Sequence, residues 1–144
     1  MTTCEDTIVI NRPVNELIPL FKDTKHYVDW QPHLVEYETF EGEPGEEGAK
    51  ARLRKHREPG NDVKMKQTVL TADLPEEYRI KQDTDGVIGY NSFHFEDLGE
   101  RTQIMARGEY DTEGLMRLVD FFNPKYFDSE LKEYLENFKN YAEK

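Results

Sequence analysis

Three groups of side chains in this 144-residue chain have types and spacings that could carry chemistry. His26, Asp29 and His33 stand at intervals seen in metal sites, where three side chains must converge to about 2 Å from one ion. His26 and Asp29 share a helical face. His33 follows Pro32 at the start of a strand, so the helix does not set its direction, and no metal site is expected. Cys4 lies near the start of the first strand without a histidine at fixed spacing, and a thiol needs local positive charge to become a reactive thiolate. It reads as structural. Gly42, Gly45 and Gly48 stand among acidic residues and do not precede a helix, so they form a turn and not a phosphate loop.

The third group is the most informative. Tyr37, Lys55, Gln67, Tyr78, Gln82 and Asn91 are expected to point inward among Leu53, Met65, Val69, Ile80, Phe93 and Ile104. A buried polar group without a partner costs roughly 1–3 kcal/mol, so water, ligand or one another must satisfy them. In a cavity, Lys55 would hold a carboxylate while Gln67 and Asn91 read a carbonyl or hydroxyl. Gly89 and Gly108 would leave room for ligand or mark a sheet bend or contact with the last helix, Trp30 would line the entrance or anchor a short helix, and Phe127 and Leu131 would close the site. Tyr78 and His33 are the acid–base candidates, but neither belongs to an identifiable pair.

These side chains depend on elements that alternate in a legible order. Thr7–Ile10 is a β-branched run, and Pro13 opens a helix marked by Val14, Leu17, Ile18 and Phe21, with Asn11 or Arg12 near the cap. A second short helix carries His26 to Trp30. From His33 the period becomes two, and turn clusters at 43–48, 58–62, 73–75, 83–86 and 98–100 separate six strands.

One pairing scheme keeps apolar residues on a single face. It sets Tyr37 against Leu53, Lys55 against Met65, Ala51 against Val69, Val69 against Ile80 and Tyr78 against Asn91. It also sets Phe93 against Ile104, Phe95 against Thr102 and Gly89 against Gly108. On the outer face Glu36 meets Arg54, Glu38 meets Arg52, and Arg54 and His56 lie beside Lys66 and Lys64, a basic strip that reads as a solvated surface with cross-strand ion pairs. His94 is expected on the same outer face, away from any cavity. Leu115 to Phe122 form an apolar segment interrupted at Asn123-Pro124. Phe127, Leu131, Leu135, Phe138 and Ala142 then make the stripe of a long closing helix, with Tyr134 and Tyr141 at its edge.

Composition bounds the function. Nineteen basic against thirty acidic residues give a net charge of −11, which disfavours nucleic acid and anionic membrane surfaces as partners. The acidic surface fits salt adaptation and simple solubility alike. One cysteine excludes an internal disulfide, and no stretch reaches the roughly twenty apolar residues that span a bilayer. The N-terminal residues lack a secretory pattern, so a reducing cytoplasm is expected.

With these residues in view, the chain resembles the START-like (SRPBCC) superfamily, and within it the bacterial polyketide cyclase/dehydrase-like proteins. The resemblance is carried by Ile10–Val14 leading into Leu20-Phe21, by Tyr27–Pro32, by the Gly42–Gly48 hairpin, by Phe93–Leu98 and by the closing helix. It implies an α+β helix-grip fold over 1–144 as a single domain, with a seven-stranded curved antiparallel sheet gripping the last helix around a cavity for hydrophobes. No catalytic signature transfers position by position. Ring-hydroxylating oxygenase relatives use a His/carboxylate iron site, but the rest of their architecture is missing here. The expectation is a binding protein, not an enzyme, for a small hydrophobic or amphipathic ligand, with no cofactor. A polyketide cyclase-like enzyme is the first alternative, and a module that binds a protein partner through its sheet is the second.

Overall fold

The computed structural model describes residues 2–56, 60, 62–111 and 125–144, with side chains in the last segment from residue 129 onward. Phe127's side chain and the 115–124 segment thus lie outside the described residues. The order is β1 (Thr2–Ile10), α1 (Val14–Lys22), a 3-10 turn (Thr24–His26), α2 (Tyr27–Trp30), β2 (Leu34–Glu41), β3 (Lys50–Lys55), β4 (Val63–Asp73), β5 (Glu77–Thr84), β6 (Val87–Asp97), β7 (Thr102–Tyr110) and α3 (Lys125–Ala142).

The strands form one seven-stranded antiparallel sheet in the order β1-β7-β6-β5-β4-β3-β2, so β1 and β2 are its edges. α3 lies along the concave face and buries Leu131, Leu135, Phe138 and Ala142 at helical spacing. Pro13 takes the cap position of α1, where its carbonyl accepts from the N–H groups of Glu16 and Leu17. The far end of α3 is clamped to the corner after β1. Lys139 Nζ donates to the Val9 carbonyl at 2.6 Å, and Glu143 accepts from the Asn11 N–H at 2.9 Å. That backbone bond is the main reason the Glu143 carboxyl is held below its usual range.

The expected register is right between β2 and β3, where Tyr37 faces Leu53, and at Val69 with Ile80. Elsewhere it is displaced by two residues. Leu53 faces Met65, Ala51 faces Gln67, Tyr78 faces Phe93, Phe95 faces Ile104, and Gly108 faces Asn91. A slip of two leaves every side chain on its own face, so alternation cannot detect it. On the outer face the slip sets Arg52 against Lys66 and Arg54 against Lys64. Arg54 is held by Glu36 and Asp62, while Arg52 stacks over the Phe40 ring at 4.0 Å.

The β2–β3 hairpin does more than turn. Gly45 has φ +79°, and a Cβ there would lie 2.7 Å from the carbonyl oxygen of Lys22 at the end of α1. Lys22 Nζ also pairs with Glu46 at 2.6 Å. Gly45→Ala is predicted to destabilise by more than the roughly 1–2 kcal/mol of a left-handed alanine, because the helix end must also give way. Gly48, at φ +88° with nothing near its Cβ position, is the control. Urea unfolding of both variants checks this, and equal losses would show that the hairpin–helix contact carries nothing.

Candidate functional site

The space between sheet and α3 is filled at one end and open at the other. Phe21, delivered by α1, packs with ring centroids 5.0–5.6 Å from Phe93, Phe95, Phe138 and Tyr78. Trp30, from α2, packs at 4.8–4.9 Å on Phe138 and Tyr134. It is 4% exposed and anchors the helix to the core without reaching the cavity wall. Its indole N–H has no hydrogen-bond partner among the described residues.

Beyond this aromatic block lies a cavity of about 460 Å³. Tyr27, Tyr78, Phe93 and Tyr134 form its floor, and its mouth lies where Asp62, Val63, the β5–β6 turn, Tyr110 and the first described side chains of α3 come together. Lys55, Met65, Gln67, Tyr78, Gly89, Asn91, Phe93, Gly108 and Leu131, all expected in the site, contribute to its lining. Trp30, Tyr37, Leu53 and Ile104 do not, and Leu53 and Ile104 are packed in the core.

The wall formed by β6, β5 and β4 carries a row of amides. Asn91 Nδ2 donates to Gln82 Oε1 at 3.4 Å, Gln82 Nε2 to Gln67 Oε1 at 3.3 Å, and Gln67 Nε2 to the Tyr37 hydroxyl at 3.3 Å. The last step crosses β3, where the partner of Gln67 is the small Ala51. The glycines serve this row. Gly108 faces Asn91, and a Cβ on it would meet Cys4 Sγ at 2.9 Å and Asn91 Oδ1 at 3.1 Å, so its absence seats the amide and the thiol. Gly89 faces Gln82, and a Cβ there would make ordinary contacts at 3.6–3.8 Å.

Several expected roles change. Lys55 does hold a carboxylate, but it is the chain's own: Nζ pairs with Glu130 of α3 at 2.8 Å, with both side chains largely sheltered. The Tyr78 hydroxyl donates to the Gly45 carbonyl at 3.0 Å and accepts from Tyr27. Burial pushes its pKa up, as it does for Tyr27 and Tyr134. A phenol so placed is a poor acid–base group near neutral pH. His33, with φ 61°, lies on the cavity lining and stands 3.6 Å from Glu133 of α3, whereas His26 pairs with Asp29 at 2.8 Å. The three residues therefore do not converge, and no metal-type cluster occurs among the described residues. His56, expected away from the cavity, stands at its mouth with Nδ1 3.0 Å from Asp62. His94 bonds the Glu76 carbonyl. Neither the Lys55–Glu130 pair nor the place of His56 is visible in alternation, since both depend on where α3 and the β3–β4 connection fall.

A seven-stranded antiparallel sheet gripping a C-terminal helix over a cavity defines the START-like helix-grip class. The chain belongs to the family described as polyketide cyclase/dehydrase and lipid transport, whose profile matches residues 1–143. Among solved structures, a protein from Chromobacterium violaceum superposes with a TM-score of 0.79 at 14% identity, covering 100% of this chain and 99% of that one. Ginseng major latex-like protein 151 from Panax ginseng gives 0.75 at 16% identity, covering 98% and 97%. Norcoclaurine synthase from Thalictrum flavum, in complex with dopamine and hydroxybenzaldehyde, gives 0.73 at 13%, covering 98% and 86%. These likenesses are of fold. No curated protein matches the chain in sequence. Among the described residues no helix is long and apolar enough to cross a membrane.

The buried phenols give a pH prediction. Burial raises the Tyr37 pKa to about 12, partly offset by the Gln67 hydrogen bond, and raises Tyr27, Tyr78 and Tyr134 as well. Above about pH 10 the unfolded chain loses these protons first, so the folded state binds more protons and stability falls as pH rises. Each tyrosine contributes a loss of up to about 1.4 kcal/mol per pH unit in that window. Urea midpoints should be level from pH 8 to 10 and drop by pH 11, less steeply in Tyr37→Phe. A flat profile to pH 11 would show that the phenols are not buried in solution.

Proposed function

We propose that this protein binds a small hydrophobic or amphipathic molecule in the cavity between the sheet and α3, as one domain spanning 1–144. The observation that carries this reading is the combination of an aromatic floor with a row of amides on one wall of about 460 Å³ of space, where charged side chains such as Lys55, Asp62 and Glu130 also contribute to the lining, a volume within the usual range for small-molecule sites. Apolar burial on the floor would supply affinity, and the amide row would set orientation. The family's description includes lipid transport. The norcoclaurine synthase neighbour holds dopamine and hydroxybenzaldehyde, small aromatic molecules compatible in scale with such a space.

A cyclase-like reaction has less support, because the Tyr78 proton is engaged by Gly45 and His33 faces Glu133. The protein-partner reading also has less. Among the described residues the exposed large apolar side chains are Val28, Val35, Phe40, Leu70, Leu98 and Met105, spread over α2, β2, β4, the β6–β7 turn and β7, and the Phe40 ring is covered by Arg52.

Amide NMR titration with fatty acids, sterol-like molecules, quinones and aromatic polyketides tests the proposal. Saturable shifts grouped at Gln67, Gly89, Asn91 and Gly108 are expected, and Gly89→Leu should weaken binding by about tenfold or more, a difference of about 1.4 kcal/mol, while the fold is retained. No shifts across the panel would sink the reading.

A further inference from the structure

We infer that the amide row makes the cavity selective for uncharged ligands bearing acceptor oxygens, such as ketones and esters, over carboxylates and over hydrocarbons of the same shape. The inference rests on the cavity being a ligand site and adds the chemical class it takes.

Gln67, Gln82 and Asn91 each have two N–H groups, and each spends one on the next member of the row. None of them makes a further hydrogen bond among the described residues. Reversing all three amides would reverse the direction of the row but still leave every amide with an unspent N–H. Gln67 Oε1 and Gln82 Oε1 each already accept one bond, and a second lone pair left idle on a carbonyl is tolerated, whereas a desolvated N–H without an acceptor is costly. Asn91 Oδ1, beside Gly108, is the one carbonyl of the row that accepts from no other member. The demand made on a ligand is therefore for acceptors.

The three amides stand on adjacent strands, whose backbones lie roughly 4.8 Å apart, with Gln67 directly opposite Gln82 and Asn91 diagonal to it. A ketone or ester oxygen meets this wall without bringing a charge. A carboxylate must shed its hydration, and of the basic side chains on the cavity lining Lys55 is paired with Glu130, His33 with Glu133 and His56 with Asp62, while Lys64 stands opposite Arg54 on the outer-face register of β4, so at the amide row its burial lacks the compensation an ion requires. A hydrocarbon of the same size leaves the N–H groups dry and unpaired, the situation in which polar sites reject apolar analogues.

Three near-isosteric probes separate these cases: 2-acetylnaphthalene, 2-naphthoate and 2-ethylnaphthalene, each titrated at pH 7.5 on the full chain by isothermal titration calorimetry. The ketone is expected to bind about tenfold tighter than either of the others. In Gln67→Leu and Asn91→Leu the ketone-to-hydrocarbon ratio should collapse to about one, with Gln82→Met as a further variant should either fail to fold. Tighter binding of naphthoate, equal binding of the hydrocarbon, or an unchanged ratio in the folded variants overturns the selectivity while leaving the cavity reading intact. Failure of all three probes to bind overturns the cavity reading and this inference with it.

Discussion

The structure turns on one wedge. Phe21, almost fully buried, sits at the end of α1 with the sheet's Tyr78, Phe93 and Phe95 on one side and α3's Phe138 and Tyr134 on the other. Its edge-to-face contacts fill the space between the layers, and its bulk fixes how far apart they stand. Towards the mouth no aromatic of comparable reach comes from α1, and the inner strands carry glycine and amides. The separation set by the wedge persists there as empty volume. Cavity and core are thus two ends of one packing arrangement.

Elements outside the core keep the wedge seated. Gly45 lets the β2–β3 hairpin approach the last turn of α1, and its carbonyl receives the Tyr78 hydroxyl. The clamp of Lys139 and Glu143 on Val9 and Asn11 holds one end of α3. Towards the other end, the described ties to β3 and the α2–β2 corner are polar: Lys55 with Glu130, His33 with Glu133, and Gln31 with the Tyr134 hydroxyl. The helix is held by charge and amide contacts beside the mouth and by backbone bonds away from it.

The fold was legible because its signals are local. The β-branched first strand, the proline-started helix, the turn clusters and the Leu131–Leu135–Phe138–Ala142 stripe each dictate an element without reference to the rest. Faces were legible for the same reason, since alternation is a property of one strand. Register was only partly so, because a slip of two preserves faces. One sequence signal could have resolved the β5–β6 pairing: Asp85-Gly86, both at positive φ, forms the two-residue hairpin loop that sets Thr84 against Val87. The inward set of Gln67, Gln82 and Asn91 followed from alternation. The engagement of Lys55 by Glu130 did not, because it depends on how α3 docks on the sheet, and of the two roles open to Trp30 its burial fits the anchor.

The polar wall has one property that its geometry alone does not announce. Its members are three amides and a phenol whose pKa lies near 12, so the wall keeps its protonation state throughout the range in which cells live. The charged pairs at the cavity, Lys55 with Glu130, His33 with Glu133 and His56 with Asp62, stand beside the mouth and not in the row. Any dependence of ligand uptake on acidity would therefore originate in the guest's own ionisation or in the rim, and the inner surface would present the same pattern of donors in a neutral cytosol or an acidified compartment.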